Sequence, residues 1–475
     1  MLLKRMYDDR LAQASYLVGC QATGEAVVID PNRDARQYLE AAAAEGLRIT
    51  HVTETHIHAD FLSGTRELAA AAGARMILSR EGGADWQYRF ATKENATLAG
   101  NGHLFRIGNI AIEAVHTPGH TPEHMTFLVT DTPASDRPVG AFTGDFIFAG
   151  DVGRPDLLER AAHVAGTMEA SARTLFHSLR RFRAMPPYLQ LWPGHGAGSA
   201  CGKALGAMPQ TTLGYELIAN WAFGIDDEDT FVRAVLEGQP EPPRYFAEMK
   251  RLNRDGPPLL DGFREPPLLD ASRLAPLLES GAVVIDTRRN EIFAKGHVPG
   301  TLGIQLSKSF STYVGSVVPF DADLYLIVDD GVPGAAARAA RDLAMIGLDR
   351  VAGVFAGRVI AEWSASGRPL GTVKQMDVSE AARLAQRGEL ALVDVRGRAE
   401  YAAGHPAGAP NVPYAELAGR RAELPARRPL ALICQSGSRS AIGASLLRAG
   451  GLTEVVNVAG GFDQWERAGL PVERA

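Results

Sequence analysis

Cysteine is nearly absent: Cys20, Cys201 and Cys434 are the only three in 475 residues, and they lie far apart. An odd number at such spacing excludes a disulfide framework, suits a reducing cytosol and leaves each thiol a candidate reagent. Long hydrophobic runs are missing as well, since no apolar stretch approaches the roughly 18–20 residues a membrane helix needs. The opening MLLKRMYDDRLAQ is charged almost at once and has no apolar centre, so no secretory leader is expected. A large excess of charge of either sign is lacking too. A formal net charge of −6 over this length favours neither nucleic acid nor an anionic membrane as partner. The expectation is a cytoplasmic protein acting on small molecules.

What is present is ordinary globular material, 46% hydrophobic and 22% charged. A prior of ~150 residues per domain suggests about three domains. Short apolar strands alternate with alanine-rich helical stretches from end to end, which predicts layered α/β domains. SYLVGCQ, EAVVIDP and RITHVTET read as strands, and RQYLEAAAAEG and TRELAAAAGAR as helices. Two proline-rich passages, GQPEPPRY and DGPPLLDGFREPPLL, bracket a helical segment at residues 245–253 and place a domain boundary near residue 262. Beyond it lies an internal repeat. VVIDTRRNEIFAKGHVPGTLGI matches LVDVRGRAEYAAGHPAGAPNV, pairing Asp286 with Asp394 and His297 with His405, and each copy ends in an AG…W stretch at Trp363 or Trp465. Duplicated domains over 263–371 and 372–475 are the reading.

Two chemical signals stand out. The first is ETHIHADFLSG, Glu54–Gly64, where His56, His58 and Asp60 recur at every second position just past a strand. HTPGHTPEH adds His116, His120 and His124, AFTGDF places Asp145 at a strand end, and LWPGHG adds His195. Loops at strand ends are where α/β folds gather ligands. A histidine in a turn is most often structural, the reading for His51, His103, His163 and His177; His116 and His124 are read as braces of their own turn. The four motifs in one order point to a metal site.

That order resembles the metallo-β-lactamase fold over about residues 1–240. In the glyoxalase II branch of that superfamily, HxHxDH serves two metals; here Phe61 stands at the last position, and a phenyl ring has no lone pair to donate. The resemblance to the superfamily's persulfide dioxygenases implies His56, His120 and Asp145 as ligands of one Fe(II) per chain. His58, Asp60 and His195 would then orient ligands, water or substrate. Two imidazoles and a carboxylate suit non-haem iron, but zinc uses the same set, so spacing alone leaves the metal open. FIFAGDVGRPDL resembles the family's glycine-arginine-x-aspartate stretch, with Arg154 and Asp156 expected either at the site floor or in a loop salt bridge. Cys201 is expected at the site entrance or as an inert buried thiol, and Cys20 as core filler. Gly196 and Ala197 stand where single-domain persulfide dioxygenases often carry aspartate and tyrosine, so nothing here selects glutathione as the carrier thiol.

The second signal is LALICQSGSRSAIGASLL. A buried strand delivers Cys434 into the loop Gln435, Ser436, Gly437, Ser438, and a helix comes next. Successive backbone N–H groups and the positive end of a helix stabilise an anion there, which makes Cys434 a candidate nucleophile. Arg439 can hold an oxyanion through its planar fork. Four residues separate Cys434 from Arg439, one fewer than in cysteine-dependent phosphatases, and the smaller loop resembles the rhodanese sulfurtransferases. Asp394 and His405 belong to that family's scaffold. In the upstream copy, LYLIVDDGVPGAAARA, Val328 takes the cysteine position and Pro333 the arginine position, while Asp329 and Asp330 repel anions, so that copy is expected to be inactive and to serve in packing.

The whole chain resembles the bacterial persulfide dioxygenase–sulfurtransferase fusions. The implied architecture is an α/β protein: a metallo-β-lactamase αββα sandwich (1–262), then two rhodanese-like α/β domains, a degenerate one (263–371) and an active one (372–475). The implied partners are a small thiol persulfide, O2 and sulfite, with thiosulfate as product and a homodimer or larger assembly. Linking both activities in one chain raises the local concentration of the shared intermediate. The rival readings are a glyoxalase II-like thioester hydrolase with a rhodanese appendage, and a persulfide carrier or sensor that turns nothing over.

Overall fold

The computed structural model describes the chain except residues 163–165, 204, 261, 426–427 and 475, so His163 lies outside the described residues. Two compact units emerge, Met1–Phe263 with Met345–Gly347, and Arg264–Ala344 with Leu348–Ala475.

In the first unit, β1 (Leu2–Asp8), β2 (Gln13–Cys20) and β3 (Glu25–Ile29) lead through α1 (Ala35–Ala44) to β4 (Arg48–Thr53). Then come α2 (Thr65–Ala72), β5 (Arg75–Ser79) and β6 (Thr97–Ala99), which complete a six-stranded sheet in sequential order. A second six-stranded sheet holds β7 (His103–Ile107), β8 (Ile110–His116), β9 (Met125–Asp131), β10 (Gly140–Gly144), β11 (Gln190–Pro193) and β12 (Thr211–Thr212), with α3 (Met168–Phe182) and α4 (Glu228–Leu236) beside it. Side-chain alternation explains the layering. Along β2 and β3, Tyr16, Val18, Val27 and Ile29 face the core between the sheets, while Leu17, Ala26 and Val28 meet Tyr38, Ala42 and Leu68 of α1 and α2. The second sheet mirrors this. Phe127, Phe142 and Trp192 point into the shared core, and Leu128, Ala141 and Leu191 meet Leu175 and Leu179 of α3 and Phe231 of α4. β2 is buried along its whole length because both of its faces are covered. The result is an αββα sandwich.

The second unit repeats itself. β13 (Val283–Asp286), β14 (Leu302–Gly303), β15 (Leu324–Val328) and β16 (Val351–Ala356) form a parallel sheet ordered β14-β13-β15-β16, with α5 (Phe310–Val317) and α6 (Ala335–Ala344) between its strands. β17 (Lys374–Met376), β18 (Ala391–Asp394), β20 (Leu430–Ile433) and β21 (Val455–Val458) form another, ordered β17-β21-β20-β18, with α7 (Ser438–Ala449) after β20. β19 (His405–Pro406) pairs antiparallel with β22 (Val472–Glu473). The duplicated residues make the same contacts in both copies. Arg288 pairs with Asp286 at 2.6 Å and Arg396 with Asp394 at 2.7 Å. His297 Nδ1 bonds the Phe293 carbonyl at 3.0 Å and His405 Nδ1 the Tyr401 carbonyl at 2.9 Å. Trp363 and Trp465 each donate Nε1–H to a proline carbonyl six residues on, at 3.1 and 3.0 Å. The register agrees as well: Asp286 lies opposite Ile327, one residue before Val328, and Asp394 opposite Ile433, one before Cys434. Both sheets belong to one compact unit because they share apolar packing, Phe293 and Ala294 joining Val395, Leu432 and Cys434 in one cluster.

Phe142 stacks on Trp192 at 4.7 Å and leans on Tyr16 at 5.0 Å in the inter-sheet core. Phe142→Ala should therefore destabilise the first unit by about 3–5 kcal/mol, read from the shift of its denaturant midpoint.

Candidate active sites

The first cluster forms where β4 and β10 end. His56, His120 and Asp145 place donor atoms within 4.8 Å of one another, and all three are buried. Asp145 Oδ2 lies 3.8 Å from His56 Nε2 and 3.5 Å from His120 Nε2. These separations exceed hydrogen-bond length, and neither oxygen of Asp145 has a hydrogen-bond partner. A wholly buried carboxylate without partners is costly unless a cation completes it, and that is the observation by which these residues fit a metal ion. The imidazoles are held for it from behind. His56 Nδ1 meets Thr55 Oγ1 at 2.9 Å, whose own hydrogen goes to Asp30. His120 Nδ1 bonds the Arg154 carbonyl at 2.9 Å. Each bond leaves Nε2 with a bare lone pair directed at Asp145. Burial and the neighbouring histidines hold His56 well below its ordinary value, and burial lowers His120 despite Asp145, so both rings are neutral, as ligation needs.

Backbone geometry at Asp145 depends on a glycine. Gly144 has φ +49°, and a Cβ there would sit 2.4 Å from Thr55 Oγ1. His124 accepts the Asp145 N–H at 3.2 Å, so it supports the carboxylate's backbone, and His116 bonds the Pro122 carbonyl at 2.8 Å.

Asp60, His195 and Cys201 form a second donor group of the same compactness. His195 Nδ1 bonds the Ala12 carbonyl at 3.1 Å, and its Nε2 lies 3.4 Å from Asp60 Oδ2 and 3.5 Å from Asp145 Oδ1. Asp145 therefore turns one oxygen toward each group. Cys201 is buried, not at an entrance, and burial together with Asp60 and Asp145 pushes its thiol well up. Phe61 packs its ring 4.4 Å from that of His58. His58 turns away from Asp145: its Nε2 bonds Asp30 at 3.2 Å, and although burial opposes charge, Asp30, Glu54 and Asp60 lift it to about 9. Arg154 does not reach into the cluster with its side chain. Its fork grips Asp156 at 2.8 Å twice and its Nη1 donates to the Ala200 carbonyl at 3.1 Å, so the salt-bridge alternative describes it, while its carbonyl orients His120. Cys20 lies in the inter-sheet core.

Four supports carry no signal of their own in the motifs: Asp30, Glu54, Glu123 and Asn253. Glu54 accepts from Thr65 Oγ1 at 2.7 Å and Glu123 from the Ile57 N–H at 2.7 Å, while burial pushes Glu123 up to about 7. Asn253 donates to the carbonyls of His58 and Phe61, both at 2.8 Å, and accepts the Ser63 N–H at 2.9 Å. It sits 190 residues beyond Ser63, so no local pattern could reveal it.

The second cluster surrounds Cys434. Its Sγ, on a residue only 1% exposed, accepts the Gly437 N–H at 3.1 Å and the Ser440 hydroxyl at 3.3 Å. Gly437 has φ +101° and lets the loop turn into α7, which Ser438 opens and Ser436 precedes. Gln435 bridges Arg396, at 3.0 Å, and Asp463. Arg439 stands just inside α7. Both ends of its fork bond Glu400, at 2.6 and 2.7 Å, because a half-buried guanidinium needs a counter-charge. Upstream, Val328 ends β15 where Cys434 comes after β20, and Asp330 accepts the N–H groups of Gly357 and Arg358 at 3.0 and 2.9 Å.

The metallo-beta-lactamase superfamily profile matches residues 8–195 and the rhodanese-like domain profile residues 377–468. Persulfide dioxygenase ETHE1, mitochondrial, of Mus musculus is 30% identical over 202 residues, 41% of this chain and 68% of that protein. A hydroxyacylglutathione hydrolase of Rhodospirillum rubrum is 33% identical over 180 residues, 38% of this chain and 60% of that protein. A crystal structure of a metallo-beta-lactamase from Staphylococcus aureus is 42% identical, covering 75% of this chain and 99% of its own with a TM-score of 0.69. Among the described residues, no helix is long and apolar enough to cross a membrane.

Asn253→Ala strips three buried backbone groups of their partner, at about 1–3 kcal/mol for each group left unsatisfied. The expected outcome is a lower melting temperature together with weaker metal retention on dialysis against a chelator.

Proposed function

This chain belongs to the metallo-β-lactamase superfamily and joins a region related to the persulfide dioxygenases to a rhodanese-like domain, and we propose that it is a non-haem iron persulfide dioxygenase coupled to a sulfurtransferase. On this reading three domains divide the work: residues 1–262 oxidise the persulfide, 372–475 transfer sulfur, and 263–371 form a rhodanese-like domain without a nucleophile. The protein acts in the cytoplasm, as a homodimer or larger assembly, on the persulfide of a small thiol.

The observation that carries the reading is the buried, unpartnered Asp145 carboxylate facing two neutral imidazoles. His56, His120 and Asp145 would hold one Fe(II) per chain. Bound there, iron supplies the one-electron chemistry that lets O2 react with a sulfur substrate. The balance is R–S–SH + O2 + H2O → R–SH + SO3²⁻ + 2 H⁺. The chain's own residues keep the ligands oriented: Thr55 holds His56, the Arg154 carbonyl holds His120, and the His124 ring holds the backbone of Asp145. Phe61 and its apolar neighbours keep water from the flank of the site.

Cys434 takes sulfane sulfur from a second persulfide and passes it to sulfite: Cys434–S–SH + SO3²⁻ → Cys434–SH + S2O3²⁻. The Gly437 N–H and the Ser440 hydroxyl stabilise the sulfur anion that each half-reaction leaves on the loop.

A hydrolase of the hydroxyacylglutathione type is the second reading, favoured by the donor group Asp60, His195 and Cys201 beside Asp145, where a further metal ion could generate hydroxide. Iron-loaded protein should take up oxygen on addition of a thiol persulfide and release sulfite; no uptake, with thioester cleavage instead, decides for the hydrolase. His120→Ala should lower iron content and oxygen uptake by about a hundredfold or more. Cys434→Ser should keep oxygen uptake within about twofold of the parent while thiosulfate formation disappears. A carrier would show no turnover in either protein.

A further inference from the structure

The first unit includes three residues from far along the chain. Met345–Gly347 come directly after α6, in the stretch without a nucleophile, yet they group with Met1–Phe263. Met345 and Ile346 are buried there. The Met345 carbonyl accepts the N–H of Leu62 at 2.8 Å. Gly347 has φ +78°, and a Cβ on it would lie 3.1 Å from Leu62 Cδ1, 3.2 Å from Leu252 Cδ1 and 3.4 Å from Met249 Cε. These three residues are therefore seated against Leu62 and the helix Phe246–Asp255, which also carries Asn253.

Leu62 belongs to the loop that continues the histidine motif. Four backbone groups of that loop find their partners in remote segments. Asn253 serves the carbonyls of His58 and Phe61 and the N–H of Ser63, and Met345 serves the N–H of Leu62. The loop in turn carries a row of buried rings that ends at a metal-site histidine. Phe61 lies 4.4 Å from His58, and His58 lies 4.3 Å from His56, centroid to centroid. A close-packed interior leaves no void to absorb a displacement at Leu62, so it passes along this row to the His56 ring.

We propose that Met345–Gly347 is a positioning element of the metal centre: by fixing Leu62 it sets, through Phe61 and His58, the orientation of the His56 imidazole. This rests on His56, His120 and Asp145 holding a metal ion. The stretch that has lost its nucleophile then keeps a task that the loss does not touch. It supplies a hydrogen-bond acceptor and a close-fitting turn to a loop whose other support, Asn253, also comes from a distant segment.

Full-length protein is stripped of metal with a chelator and reloaded with cobalt(II). Its visible ligand-field spectrum reports ligand geometry, and competition with a chelating dye reports affinity. Gly347→Val pushes on Leu62 and should weaken cobalt binding about tenfold, as loss of a support behind a ligand does, with a shift of the ligand-field bands. Adding Leu62→Ala makes room for the new side chain and should return affinity to within about threefold of the parent and the bands to their place. Phe142→Ala loosens the core of the same unit away from this loop and should leave the bands unmoved. Should Gly347→Val fail to fold, Gly347→Ala carries the same test, since its methyl group still meets Leu62. Unchanged bands and affinity in a folded Gly347 variant overturn the proposal. Bands that Leu62→Ala does not restore, or that Phe142→Ala moves equally, overturn it as well, because they mark lost stability alone. If His120→Ala binds cobalt as tightly as the parent, the metal-centre reading itself falls, and this proposal with it.

Discussion

A buried carboxylate within reach of three imidazoles, but at hydrogen-bond distance from none of them, dominates the first unit. Asp145 is fully buried, its oxygens bond no donor, and the groups around it stop at 3.5–3.8 Å. Such a group survives in a folded protein only where the scaffold over-determines it and a cation is due. The surrounding features answer to this constraint: glycine at 144, imidazoles fixed through Nδ1, and Asn253 tying down the loop that carries His58 and Phe61. The two sheets supply the rigidity, since each strand end that bears a ligand is anchored in a core packed on both faces.

The second unit shows how duplication separates scaffold from chemistry. The Asp–Arg pair, the histidine bonded to a carbonyl and the tryptophan anchored to a proline carbonyl occur in both copies with nearly the same lengths. Those contacts hold a parallel sheet together, and in the second copy Arg396 also reaches Gln435 of the loop at the strand's end. That loop is where the copies part: an anion cradle around Cys434 in one, a carboxylate capping backbone N–H groups in the other. The difference between the copies thus resides in the loop, as expected when function is carried by loops on a shared fold.

Three contacts that no local pattern displays share one physical cause. Phe61 takes the last position of the histidine motif, and the neighbouring donor group includes Cys201, which is close to Asp60 in space and far from it in sequence. Arg439 has the planar fork that suits an anion, and both of its ends bond Glu400 of the helix Arg398–Ala403. Arg154 matters through its carbonyl, an atom every residue possesses and no motif can mark. In each case the deciding contact joins segments whose separation is set by the fold.

The sequence by itself determined the layered α/β class, the order of the histidine motifs, the repeat and the single intact nucleophile loop. All of these are local or periodic properties: alternation along strands, glycine and proline at turns, one residue type at one position. Only the tertiary structure decided which histidines face Asp145 and which face away, and where Cys201 and Asn253 stand. Side-chain direction and counter-charge depend on neighbours brought in from tens or hundreds of residues away, and folding is the step that chooses them.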